Sequence, residues 1–140
     1  MITISLAAHH HAIDLASAYI VDWCAQEGVE AYHEKRLTLI VEELIANSLA
    51  HGGTAQNGNI TLDLTRKKDH VAITYIDEGK PFDPNKDLVG DDRENDLDDR
   101  RVGGLGWPLI KQLCERIEYV RHDDENHTTL IRRISSNTPI

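Results

Sequence analysis

Residues 42–53 read Glu-Glu-Leu-Ile-Ala-Asn-Ser-Leu-Ala-His-Gly-Gly. At about 100° per residue, Leu44, Ile45 and the small Ser48 extend an apolar face begun by Leu37, Ile40 and Val41. The spacing predicts a helix from about Ala31 to Ala50, ended by Gly52-Gly53. Glu43, Asn47 and His51 recur every four residues and form a polar stripe along one border of that face. Most such borders are simply solvated. This one carries a mid-helix Asn, which is mildly unfavourable, with a carboxylate one turn before it. A helix packed beneath a sheet holds such a stripe at the rim of a cavity. There it suits Mg²⁺, which keeps several waters and needs only one or two protein oxygens when phosphates supply the rest.

On the N-terminal side, Ile2, Ile4 and Leu6 alternate as a short strand. Ala12, Leu15, Ala16, Tyr19, Ile20 and Trp23 then give helical spacing from His9 to about Glu27, with Gly28 as its stop. On the C-terminal side, Ile60-Leu62-Leu64 and Val71-Ile73-Tyr75 alternate around the polar Arg66-Lys67-Lys68-Asp69, a strand–turn–strand pattern. Asp83 to Arg101 holds eight acidic and four basic residues with almost nothing to bury, and reads as a lid over about 83–103. A third helix is expected from Trp107 to about Glu115, and a closing hairpin from Ile117–Arg121 and Thr128–Ile134. The order is β-α-α-β-β-lid-α-β-β. Short connections favour antiparallel pairing with the helices on one face, an α+β two-layer sandwich in a single domain spanning 1–140.

Composition supports that class. The chain has 140 residues, 40% hydrophobic and 28% charged, a globular balance, and only 5% aromatic, so its core must be aliphatic. The formal charge is -9, shared as -4 over residues 1–70 and -5 over 71–140. An evenly acidic surface argues against non-specific nucleic-acid or anionic-membrane binding. No apolar run approaches a membrane span, and the first residues lack the basic and apolar regions of a signal peptide. Cys24 and Cys114 lie far apart in helical patterns, as buried thiols of a reduced, cytoplasmic protein do. His9-His10-His11 cannot all face one site on a helix and mark a polar helix start.

Two further stretches could carry chemistry. Tyr75-Ile76-Asp77-Glu78-Gly79-Lys80-Pro81-Phe82-Asp83-Pro84 delivers a carboxylate at the end of a strand, then a glycine. Asp77 could accept from an exocyclic amine such as that of adenine while Gly79 lets the ring approach the backbone; by itself, the stretch is an ordinary turn. Gly103-Gly104-Leu105-Gly106-Trp107-Pro108 opens a helix whose free N–H groups and positive dipole end can cradle phosphate. It is neither a Walker A loop nor a dinucleotide fingerprint.

In this order and spacing, Glu-x-x-x-Asn-x-x-x-His-Gly, Asp-x-Gly-x-Pro-Phe-Asp-Pro and Gly-Gly-Leu-Gly resemble the N, G1 and G2 boxes of the GHKL ATPases. Within that superfamily the chain resembles, from about Ala12 to Arg133, the anti-sigma factor serine kinases of bacterial partner-switching systems. The resemblance implies the Bergerat fold, a mixed, mostly antiparallel sheet with helices on one face and ATP between the helix layer and the lid. It implies Asn47 as the Mg²⁺ ligand and Glu43 as general base or polarising group. It places Asp77 on the adenine amine, Gly79 beneath the ring, and Gly103, Gly104, Leu105 and Gly106 at the nucleotide, with Gly104 and Gly106 on the phosphates. Thr128 or Thr129 would support the adenine through Asp77. Arg100, Arg101 and Lys80 are basic candidates near the γ-phosphate, each equally readable as a solvated charge balancing the lid.

The implied activity is ATP-dependent phosphorylation of a serine on a STAS-domain anti-anti-sigma protein, coupled to sequestration of a sigma factor, often as a homodimer. The competing reading is a nucleotide-gated binding module that sequesters its partner without phosphotransfer. A histidine kinase catalytic domain fits less well, since no dimerisation helix pair or phosphoacceptor domain precedes the boxes. Trp107-Pro108 departs from the family pattern and would stiffen the lid hinge. Lys80 replaces a commonly small residue. Neither removes a catalytic group. The Met1–Leu6 strand is the expected dimer edge.

Overall fold

The computed structural model describes residues 2–7, 11–50, 58–86 and 106–134. Eight elements follow in the expected order: β1 (Ile2–Ala7), α1 (His11–Glu27), α2 (Ala31–Ala50), β2 (Asn59–Arg66), β3 (His70–Asp77), α3 (Gly106–Leu113), β4 (Arg116–His122) and β5 (Glu125–Arg133). The strands form one sheet in the order β1-β2-β3-β5-β4, and every described pairing is antiparallel. Most of the predicted lid, the glycines at 52, 53, 103 and 104, His51, Arg100 and Arg101 lie outside the described residues.

Alternation explains the layering. Val71, Ile73, Tyr75 and Asp77 of β3 are buried together with Ile60, Leu62 and Leu64 of β2 and Asn126, Thr128, Leu130 and Arg132 of β5. Register aligns these sets, Ile73 opposite Leu64 and Leu130, Asp77 opposite Asn126. Against this face α1 and α2 bury Ala12, Ala16, Ile20, Leu37, Ile40, Val41, Leu44 and Ile45. The core is aliphatic as composition requires, with Trp23, Tyr75 and Trp107 its aromatic members.

Local chemistry ends the first helix where expected. Gly28 takes φ +72°, and the Val29 N–H donates to the Cys24 carbonyl at 2.9 Å, the 6→1 bond of a Schellman motif. Arg66 of β2 donates to the Glu27 carbonyl and ties that helix end to the sheet. Both cysteines are free thiols, and burial pushes each up to about 12. They are inert at neutral pH.

One boundary differs in a way that matters. β5 begins at Glu125 rather than Thr128, because a two-residue turn at Asp123-Asp124 closes the hairpin. Asp123 takes the positive φ, 55°, that such a tight turn needs. Asn126 thereby becomes a strand residue directly opposite Asp77.

Candidate nucleotide site

The helix α2 presents two neighbouring polar regions on one flank. Its two carboxylates part company. Glu42 accepts from the Ser17 hydroxyl of α1 at 2.9 Å, whereas Glu43 reaches the first residue of α3. A Cβ placed on Gly106 would lie 2.5 Å from Glu43 Oε1 and 3.3 Å from Asn47 Nδ2. Glycine is what allows the α3 N-terminus to come this close, and its dipole favours the carboxylate there. Asn47 Nδ2 is buried and has no hydrogen-bond partner among the described residues. An orphaned amide at the start of a helix is the kind of group that a ligand completes.

The next residue, Ser48, belongs to the second region. Its hydroxyl donates to Asp77 Oδ2 at 2.7 Å and lies 2.6 Å from the Tyr75 hydroxyl. A carboxylate can only accept, so Ser48 donates to Asp77 and Tyr75 donates to Ser48. Burial pushes the Tyr75 phenol up, which keeps it a donor. Asp77 Oδ1 accepts from the Gly79 N–H at 3.1 Å and from Asn126 Nδ2 at 2.8 Å. The carboxylate therefore sits at the end of the central strand, 8% exposed, with its orientation fixed from three sides.

The segment after Asp77 is held from β4 and β5. Arg121 donates to the Gly79 carbonyl at 2.8 Å, and Asn126 bonds both the Lys80 carbonyl at 2.8 Å and the Phe82 N–H at 3.3 Å. Phe82 meets Trp107 of α3 with ring centroids 5.8 Å apart, so the two regions share an aromatic contact.

Of the residues expected from sequence, Glu43, Asn47 and Gly106 converge, and Asp77 and Gly79 form the neighbouring group. Thr128 shares the buried face with Asp77, opposite Tyr75, while Thr129 alternates to the other face. The Lys80 side chain is exposed. Gly103, Gly104, Leu105 and Arg101 lie outside the described residues. Sequence reasoning did not single out Asn126, Tyr75 or Arg121 and took Ser48 as a small apolar-face residue. A hydroxyl on a helix face that packs over a strand ending in Asp was the available signal.

No group of three His, Cys, Asp or Glu that could hold a metal occurs among the described residues. Asn47 offers magnesium one amide oxygen, which fits an ion that arrives with phosphate oxygens rather than one held by the protein alone, while its orphaned Nδ2 can only donate and would be completed by an acceptor such as a phosphate oxygen.

A sheet with helices on one face, a latched carboxylate at the end of its middle strand and an unsatisfied amide beside a helix start define an α+β domain of the Bergerat ATPase type. The family model of the histidine kinase-like ATPase domain matches residues 6–132, and the chain belongs to that family. Solved structures share the fold at low identity. The RsbU and RsbW domains of Rv1364c from Mycobacterium tuberculosis align at 14% identity and TM-score 0.63, covering 96% of this chain and 33% of that one. The chain thus spans about a third of that protein's solved length. The SiaB–SiaC complex from Pseudomonas aeruginosa aligns at 12% identity and TM-score 0.59, covering 96% and 90%. The catalytic domain of the histidine kinase ThkA aligns at 14% and 0.57, covering 96% and 97%. No curated protein matches the sequence. Among the described residues no helix is long and apolar enough to cross a membrane.

Proposed function

We propose that the protein binds Mg-ATP and acts as a cytoplasmic serine kinase of a partner-switching system, phosphorylating a STAS-domain anti-anti-sigma protein and sequestering a sigma factor or equivalent partner. The observation that carries this reading is the continuity of α2. Residues 43–48 supply the Glu43 carboxylate at the α3 N-terminus, an amide nitrogen with no partner among the described residues and the hydroxyl that holds Asp77. One helix thereby connects a base-binding carboxylate to a phosphate-facing pair. Resemblance to RsbW-like and SiaB-type domains supports the partner-switching context.

In this reading Asp77 accepts from the adenine amine, with Gly79 beneath the ring and Thr128 on the shared face. Asn47 would hold Mg²⁺ through its amide oxygen, and the ion would supply neutralisation of phosphate charge. The α3 N-terminus donates its free N–H groups to the phosphates. Glu43 orients the attacking serine hydroxyl and takes its proton as the serine O–P bond forms and the bond from the γ-phosphorus to the departing ADP breaks. Such transfer depends on positioning more than on covalent help, which suits so small a set of groups.

Titration calorimetry of Mg-ATP against wild type and Asn47→Ala tests the site. Binding in wild type that disappears or loses its magnesium dependence in the variant is the expected result. Absence of binding in wild type would sink the enzyme reading and leave a fold kept for protein contacts. Phosphotransfer to a partner serine that survives in Glu43→Gln would remove the assigned base.

A further inference from the structure

We propose that Asn126 is the positioning residue that makes the Asp77 pocket selective for a base with an amino group, a proposal that rests on the adenine reading of Asp77. Asn126 is 6% exposed, and its amide bonds in every direction. Nδ2 donates to Asp77 Oδ1 and to the Lys80 carbonyl, both at 2.8 Å. Oδ1 accepts from the Phe82 N–H at 3.3 Å, from Arg121 Nη1 at 3.2 Å and from the Tyr119 hydroxyl. The two groups facing Nδ2 can only accept and the three facing Oδ1 act as donors, so the amide has one allowed orientation.

That orientation decides which part of Asp77 a ligand can use. Oδ1 already receives two donors, from Gly79 and Asn126, and its lone pairs are filled. Among the described residues Oδ2 receives Ser48 alone, which leaves one acceptor position, beside the α2 hydroxyl. A base must therefore present a donor at that point. An amine satisfies it, whereas a carbonyl oxygen there would face a carboxylate with no proton between them. Rejection of the wrong group is strong when a buried polar partner cannot turn away, and Asn126, with Ser48 and Gly79, keeps Asp77 from turning. The same amide holds the 79–82 segment at two points, so ring platform and carboxylate are set by one side chain.

The test compares ATP with inosine triphosphate, which carries a carbonyl oxygen in place of the amine, by calorimetry in excess magnesium. Wild type is expected to prefer ATP by about tenfold or more. In Asn126→Ala the preference falls severalfold, because ATP loses more affinity than inosine triphosphate does. Asn126→Leu keeps the side-chain volume but removes the donor to Asp77, and it narrows the ratio in the same direction. A purely structural role would weaken both nucleotides alike and leave the ratio unmoved, which overturns the proposal. If Asn126→Ala does not fold, Asn126→Leu decides by the same ratio. Failure of wild type to bind ATP removes the adenine reading itself, and the proposal with it. Binding with an unchanged ratio in both variants overturns the role of Asn126 alone.

Discussion

Asp77 is held by three donors, from α2, from its own loop and from β5, whereas Asn47, one residue before Ser48 on the same helix, has a buried amide nitrogen with no partner among the described residues. The two regions are neighbours, yet the carboxylate at one is held in place without ligand, with a single acceptor position left open, while the buried donor at the other has no partner among the described residues. A completed polar network stabilises the fold and fixes geometry in advance. An incomplete one costs stability that a ligand can return. The base end should thus behave as part of the core and the phosphate end as a receptor. Mutations should separate the two by affecting stability at one and ligand response at the other.

The largest effect is expected at Asp77. Asp77→Ala removes the acceptor for Ser48, Gly79 and Asn126 together and leaves buried donors without partners. A loss of about 2–4 kcal/mol in urea unfolding is expected, along with ATP binding. A change below about 1 kcal/mol would mean that the carboxylate is held no more firmly than a surface group, and the contrast between the two ends would dissolve.

A second breaking point lies at the far end of α2 and calibrates the first. His33 is buried, and its Nδ1 accepts from Arg132 Nη2 at 3.1 Å, while Arg132 Nη1 donates to the Leu113 carbonyl at 2.7 Å. Burial, and then the Arg132 charge, hold the His33 imidazole below its ordinary value of 6.5. The folded state needs the neutral ring, so this contact contributes fully above pH 6.5. Its contribution falls as acid protonates the unfolded chain more readily than the folded one. Melting temperature should drop as pH is lowered below 6.5, and His33→Gln, tested across the same range, should flatten that slope. An identical slope in the variant would assign acid sensitivity to other groups.

How much of this was legible follows from what each element depends on. Strand and helix patterns were set by local alternation and spacing. In α2, β2 and β3 the expected apolar residues are buried where the period places them, whereas Leu15 and Tyr19, expected on the apolar face of α1, are exposed because that helix buries only the narrower stripe of Ala12, Ala16, Ile20 and Trp23. Glu43, Asn47 and Asp77 stood out because polar groups at fixed spacing beside an apolar face break the pattern. Asn126 did not, because its importance comes from register. The Asp123-Asp124 turn brings it opposite Asp77, and hairpin register is decided by a turn whose sequence permits several lengths. Ser48 looked like a small packing residue for a similar reason. A hydroxyl declares its role only when the strand across from it is known to end in a carboxylate.

The smallest change in stability, and the sharpest comparison, should come from Asn47. Its Nδ2 makes no hydrogen bond among the described residues, so Asn47→Ala removes a desolvated group without breaking a bond. The substitution also replaces a poor helix former with the best one in the last turn of α2. Urea unfolding of the ligand-free protein should therefore be unchanged or raised by up to about 1 kcal/mol. In wild type, saturating Mg-ATP should raise the melting temperature, because binding to the folded state alone stabilises it by mass action. In Asn47→Ala that rise should shrink or disappear. A variant that is less stable without ligand, yet gains as much from Mg-ATP as wild type does, would show the amide to be a structural group, and the receptor end of the cleft would have to be sought elsewhere.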